Sequence, residues 1–236
     1  LVKVRAAAAN PLDWHYMRGK PYIMRLDSGL GAPKSPTMGV DFAGVVEAIG
    51  TGVTRFKVGD RVFGARDGAL AEYVAAREGG ALVTMPDGIA FADAAAVPVA
   101  AMTALQAVRD KGRVAAGQKV LVNGASGGVG TYAVQIARAL GAEVTGVCST
   151  RNVDLVRALG AQHVVDYTRD DFTLGNERYD VIIDNVGTHS LSEYRRVMTP
   201  TGTLVVVGSV DDGDYLGPLT TLIRAKAAGT FGSQRV

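Results

Sequence analysis

The apolar run from Lys119 to Val122 meets the glycine-rich stretch Asn123-Gly124-Ala125-Ser126-Gly127-Gly128-Val129-Gly130, and a helical pattern follows with Val129, Ala133, Val134, Ile136, Ala137 and Leu140 on one side. A second apolar run, Glu143 to Val147, comes directly after it. Strand, tight turn, helix and strand in that order make one βαβ unit, which belongs to a parallel sheet. Backbone N–H groups at the start of such a helix lack intrahelical partners and carry the positive end of its dipole, so the turn suits a dinucleotide pyrophosphate. Gly127 lets the diphosphate approach the main chain, Gly130 lets helix and sheet pack closely, and Ser126, Gly128 and Val129 complete the loop. Ala125 stands where the usual G-x-G-x-x-G frame has its first glycine. An ordinary tight turn is the other reading of these glycines.

The alternation continues beyond this unit. Asn152 to Leu159 reads as a helix, His163 to Asp166 as a strand, and Val181-Ile182-Ile183 and Leu204 to Val207 as two more strands, with a helix near Ser190 to Met198 between them. Thr230 to Gln234 is expected to add a sixth strand. The pattern predicts a doubly wound parallel sheet with helices on both faces. Upstream the texture differs. Val2 to Ala9, Gly39 to Ile49, Arg61 to Phe63, Leu70 to Ala76 and Ala81 to Thr84 read as short strands, Asn10-Pro11 breaks the first, and Gly50-Thr51-Gly52 and Gly59-Asp60 are turns. This is a β-rich barrel or sandwich. Helix formers surround Pro98, which breaks or restarts a helix there. The chain is therefore expected to be α/β with two domains, residues 1–95 and 96–236.

Composition excludes several classes. With 25 Lys+Arg against 23 Asp+Glu, scattered rather than clustered, the chain lacks the field of a nucleic-acid binder. The longest mostly apolar window, Ala94 to Val108, is too short and too interrupted to span a bilayer. One cysteine, Cys148, excludes intrachain disulfides and thiolate-rich zinc sites, and three histidines show no metal-site spacing, so no metal is expected. Cysteine usage leans towards a cytoplasmic setting. The chain opens at Leu1 without an initiator Met or a targeting pattern and stops at Val236 without a polar tail, so residues are expected to be missing at both ends.

The second strand of the parallel sheet should end near Cys148. An NAD-specific site would place an acidic residue there for the ribose 2′-OH, whereas this chain has Ser149, Thr150 and Arg151. Hydroxyls and a guanidinium suit a 2′-phosphate, which favours NADPH. The alternative is that Ser149 or Thr150 N-caps the next helix while Arg151 is solvated.

Several ordered motifs carry a family resemblance over almost the whole chain: Asn10-Pro11-Leu12-Asp13, Gly39 to Val46, Lys57 to Gly64, Ala125 to Gly130 with Gln135, and Leu159-Gly160-Ala161. With them the chain resembles the medium-chain dehydrogenase/reductase superfamily, in its zinc-independent, quinone-oxidoreductase-like branch. The resemblance implies a GroES-like catalytic domain, incomplete here, followed by a Rossmann cofactor domain, with substrate entering between them. In the superfamily's zinc alcohol dehydrogenases a cysteine ligand stands where this chain has Asn10, and a His-Glu pair where it has Val40-Asp41. Without a Lewis acid, conjugated acceptors are the natural substrates, because a quinone or an α,β-unsaturated carbonyl spreads the incoming charge. The expected activity is NADPH-dependent hydride transfer to such a small molecule.

Site residues follow from the same resemblance. Asn10, Leu12 and Asp13 should face the nicotinamide, although Asp13 also suits a helix cap. Tyr16 or His15 lies where related reductases carry an active-site tyrosine, strict alignment placing His15 there; lining or packing is the plainer role for both. Thr103 matches a threonine near the nicotinamide, or bonds its own helix. Tyr167 matches a residue beside the adenosine phosphate, and Asn185, Gly208 and Ser209 stand at strand ends where nucleotides lie. Asp41 is read as structural. Related proteins pair as homodimers through edge strands, and Thr230 to Gln234 would be that edge. Two other functions fit the sequence: an enoyl reductase module of a polyketide-type synthase, and a sensor that binds NADPH without turnover.

Overall fold

The computed structural model describes residues 1–30, 37–208 and 234–235. Two compact units divide the chain, Leu1–Met102 and Thr103–Val236. The first is built on β1 (Val2–Ala8), α1 (Pro11–Arg18), a short α2 (Arg25–Ser28), β2 (Asp41–Val46), β3 (Arg61–Ala65), β4 (Tyr73–Val74), β5 (Leu82–Thr84) and α3 (Phe91–Ala95). Its sheet runs in the order β4-β1-β2-β3-β5, antiparallel throughout. Val2, Phe42, Val46, Val62, Val74 and Leu82 fill one face, while Ala43 and Met85 meet Ala94 and Ala95 of α3 on the other. Alternate residues of each strand thus serve opposite faces, which is the period-2 signal the sequence carried.

One element of this unit differs from the sequence reading. Asn10-Pro11 does end β1, but it also begins α1: Asn10 is extended at the N-cap and Pro11 occupies the first turn, where its missing N–H is no loss. The residue pair that stops a strand is also a helix start, and a strand-break reading captures only half of its chemistry.

α4 (Pro98–Leu105) begins at its proline and passes into a wider π-helical stretch, Gln106–Lys111. Within the second unit follow β6 (Lys119–Asn123), α5 (Gly128–Ala139), β7 (Glu143–Cys148), α6 (Val153–Ala158), β8 (His163–Asp166), β9 (Tyr179–Asp184), α7 (Leu191–Arg196) and β10 (Met198–Val206). The strands lie in the order β10-β9-β6-β7-β8, all parallel. Val120, Val122, Val181 and Ile183 pack on one face with Ala133, Val134 and Ala137 of α5. Leu121 and Ile182 point the other way, to Tyr194 of α7 and to Met198 and Leu204. Helices cover both faces, so the strands read as continuous apolar runs. The second unit thus holds the doubly wound, Rossmann-type sheet, and the first the GroES-like one, that the sequence predicts.

Chain order reverses at β6, with β7 on one side and β9 on the other, and ligands of such sheets bind outside the carboxyl ends at this point. The expected sixth strand, and with it the expected dimer edge, falls mainly on residues outside the described ones. Arg235 forms a single parallel bridge to Thr203. Among the described residues, no helix is long and apolar enough to cross a membrane.

Candidate functional site

Beyond β6 the backbone turns at Gly124, whose φ of 76° lies in the left-handed region that a side chain disfavours. Gly124 therefore does what the first glycine of the frame usually does, and Ala125 is simply buried against the sheet. Gly127 is the N-cap of α5, extended and without a side chain to cap the helix. The first intrahelical bond runs from the Thr131 N–H to the Gly127 carbonyl at 2.9 Å, which leaves the amides of Gly128, Val129 and Gly130 outside the ladder. No acidic residue stands in this first turn, and Gly127 and Gly128 are exposed. A methyl added at Gly127 would meet nothing nearer than the Gly124 carbonyl, at 3.4 Å, so a small side chain fits there. Amides and dipole together fit a diphosphate. At Gly130 a methyl would collide with the Gly124 carbonyl and the Ala125 Cα; the close approach is between helix and turn, rather than helix and sheet as the sequence suggested.

Past β7, Ser149 leads into a 3₁₀ turn, Thr150–Asn152. Neither Ser149 nor Thr150 caps the helix that follows. Thr150 Oγ1 donates instead to Asp166 Oδ2 at 2.6 Å, at the end of the neighbouring strand β8, and Thr168 donates to the same carboxylate through its hydroxyl and its N–H. These bonds, that of Thr150 foremost, hold the Asp166 carboxyl below its usual range. The Asn152 amide donates to both Ser126 Oγ, at 3.0 Å, and Ser149 Oγ, at 3.3 Å, and so joins the two loops. Arg151 is exposed and has no hydrogen-bond or ion-pair partner among the described residues. Tyr167 is also exposed, one residue beyond β8. Asn152 and Asp166 escaped the sequence reading. The spacing of Asn152 to Ser149 offered a signal, but its reach to Ser126 depends on β6 and β7 lying side by side.

Buried polar groups cluster at the carboxyl ends of β6 and β9. Asp184 accepts from Asn123 Nδ2 at 2.9 Å and from the N–H groups of Val186 and Gly187 at 3.1 and 3.0 Å, which fixes the loop after β9. Burial and the nearby Asp184 push the Tyr194 phenol far above its usual range, so it stays protonated. Asn185 Nδ2 donates to the Asn123 carbonyl at 2.8 Å. A carbonyl only accepts, so this bond fixes the amide's orientation and leaves Asn185 Oδ1 buried without a donor among the described residues. The Gly208 N–H donates to the Asp184 carbonyl at 3.2 Å. Ser209 lies outside the described residues. Thr103, half-buried in α4, makes no side-chain hydrogen bond among the described residues.

Of the candidate residues of the first unit, Asn10 and Asp13 are brought together. The Asn10 N–H donates to Asp13 Oδ2 at 2.7 Å, so Asp13, buried, anchors the start of α1. Asn10 Nδ2 donates to Asp41 Oδ2 at 3.1 Å, and the Val99 N–H in the first turn of α4 donates to both Asp41 oxygens at 3.2 Å. Burial raises the Asp41 carboxyl, the two bonds pull it back, and the charge of Asp13 adds to the rise. Leu12 is half-buried, and Tyr16 is exposed on α1. His15 Nδ1 lies 2.9 Å from the Lys20 carbonyl. Since that oxygen cannot donate, Nδ1 carries the proton and neutral His15 offers a lone pair at Nε2. With Asn10 turned onto Asp41, this donor set suits a hydrogen-bonded pair better than a cation; no three His, Cys, Asp or Glu side chains converge among the described residues.

Comparison with known proteins extends these observations. Residues 1–87 match the model of the alcohol dehydrogenase GroES-like domain, and residues 128–234 that of the zinc-binding dehydrogenases. A quinone-oxidoreductase homolog of Spinacia oleracea chloroplasts is 37% identical over 87% of the chain and 64% of its own length. The trans-enoyl reductase pgmF of Aspergillus terreus is 40% identical over 79% of the chain and 54% of its own length. The chain therefore spans less than two thirds of these curated relatives. The quinone oxidoreductase structure from Pseudomonas syringae superposes with a TM-score of 0.77 at 32% identity, over 100% of the chain and 70% of that protein.

Proposed function

Because the chain belongs to the medium-chain dehydrogenase/reductase superfamily, in its quinone-oxidoreductase-like branch, we propose that it takes part in NADPH-dependent reduction of a quinone or an α,β-unsaturated carbonyl compound, without a metal. The observation that carries this is the uncapped start of α5, with three amides outside the helical ladder at the switch point of the sheet. When bound, the dinucleotide supplies a hydride from its nicotinamide C4.

The residues of the chain do the rest. Gly128, Val129 and Gly130 present N–H groups to the diphosphate, with Ser126 and Gly127 beside them. Ser149, Thr150 and Arg151 stand where a 2′-phosphate would be read, Arg151 supplying the positive charge, and Tyr167 covers the adenosine side. Asn185 Oδ1 accepts from a ribose hydroxyl, a role its buried, partnerless state favours. Within the second unit Thr103 and Gly208 serve the nicotinamide half, and within the first Asp13 holds Asn10 at the start of α1. Hydride added to the acceptor's conjugated carbon leaves an enolate or hydroquinone anion that takes one proton. Tyr16 or solvent gives that proton directly; His15 gives one only as imidazolium, because Nδ1–H is held by Lys20.

Asn10 and Asp41 support the metal-free reading, since each satisfies the other where a metal-dependent relative would place ligands. The 40% identity to a trans-enoyl reductase favours an enoyl thioester as the second substrate class. The proposal keeps a homodimer and a cytoplasmic setting. Steady-state NADPH oxidation against a panel of quinones, enals and enoyl thioesters tests it. We expect turnover with at least one class; saturable NADPH binding with no acceptor reduced would sink the enzyme reading.

A further inference from the structure

We infer that Asn152 is the positioning residue that sets coenzyme preference, by making hydrogen-bond donors of Ser126 and Ser149; this rests on the NADPH reading above. A serine hydroxyl has one proton and two lone pairs, so what it offers a ligand depends on what its neighbour takes. Here one amide, Asn152 Nδ2, donates to Ser126 Oγ at 3.0 Å and to Ser149 Oγ at 3.3 Å. Each oxygen accepts, and each O–H proton is left for another partner. The backbone supports the same geometry, because the Asn152 N–H bonds the Ser149 carbonyl at 2.9 Å and closes the turn.

Thr150 behaves in the opposite way. Its proton goes to Asp166 at 2.6 Å, and the hydroxyl presents only a lone pair elsewhere. Of the three hydroxyls gathered between the ends of β6 and β7, two are therefore set to donate, and Arg151 beside them has no partner among the described residues. Two O–H donors and a guanidinium are the complement of a phosphate dianion. A ribose 2′-hydroxyl at the same place finds one remaining lone pair on each serine and a guanidinium that only donates, so this set favours the phosphate over it.

The nearly isosteric variant N152D presents only acceptors, so it draws the protons of both serines onto itself and introduces a negative charge where the phosphate binds. Calorimetric titration of the full chain with 2′,5′-ADP and with 5′-AMP isolates the 2′-phosphate without requiring turnover. We expect the wild type to favour 2′,5′-ADP by about tenfold or more, and N152D to lose that preference while binding 5′-AMP within about twofold of wild type. N152A, which leaves both serines to reorient, should fall between, and it decides the matter if N152D does not fold. Retention of the wild-type ratio in both variants overturns the inference, as does an equal loss for both nucleotides, the mark of a merely structural role. A wild type that does not distinguish the two nucleotides overturns the NADPH reading itself, and the inference with it.

Discussion

Gly127 and Gly130 are separated by less than one helical turn, yet their missing side chains serve different ends. At Gly130 the Gly124 carbonyl and the Ala125 backbone leave no room for a methyl, so G130A must distort the turn. At Gly127 there is room and the backbone is extended, so G127A should fold normally and place its methyl in the space before the amides. We expect G130A to lose about 1–3 kcal/mol of stability in urea denaturation, with dinucleotide affinity falling as a consequence. G127A should keep its unfolding midpoint and still bind dinucleotide about tenfold more weakly. Equal behaviour of the two variants in both measurements would contradict this assignment. Cys148 needs no comparable role: burial, with Asp166 adding to it, pushes its thiol up, which makes it a poor nucleophile.

Elements of the first unit are joined by one carboxylate. Asp41, on β2, holds the start of α1 through Asn10 and the start of α4 through the Val99 N–H, where a helix dipole also favours an anion. Burial nevertheless raises its carboxyl, so the folded chain binds this proton more tightly than the unfolded chain does. The associated stability is complete below the usual carboxylate value and is lost as pH rises through the raised one. A neutral asparagine suffers no such loss. D41N should therefore gain on the wild type between acidic and neutral pH, by on the order of 1 kcal/mol in a urea series; a constant or shrinking difference would exclude the mechanism. Elements with a clear apolar pattern were legible in the sequence: β6, β7 and β9 announce themselves because burial on both faces leaves few polar positions inside a strand, and α5 by its helical period. α1 was not, since Asn10-Pro11 is as good a break as a start. The joint between Asn152 and Ser126 was out of reach for another reason, since it spans two loops that only the strand order brings together.

On the scale of the whole molecule, the glycine turn, the β7 end and the buried Asn123–Asp184–Asn185 group all lie at the carboxyl edge of one parallel sheet. The sequence named Ser126 to Gly130, Ser149 to Arg151 and Asn185 because strand ends follow from strands. It offered the cap role of Asp13, three residues from Asn10, but it did not disclose that Thr150 would be turned onto Asp166 or that Asn185 would keep an acceptor without a donor among the described residues, since each depends on neighbours distant in sequence. The proposed activity depends on one binding event at that edge. Calorimetric titration of the chain with NADPH and with NADH tests it most directly: one saturable site, tighter for NADPH, is expected, and the absence of heat with either coenzyme would contradict it.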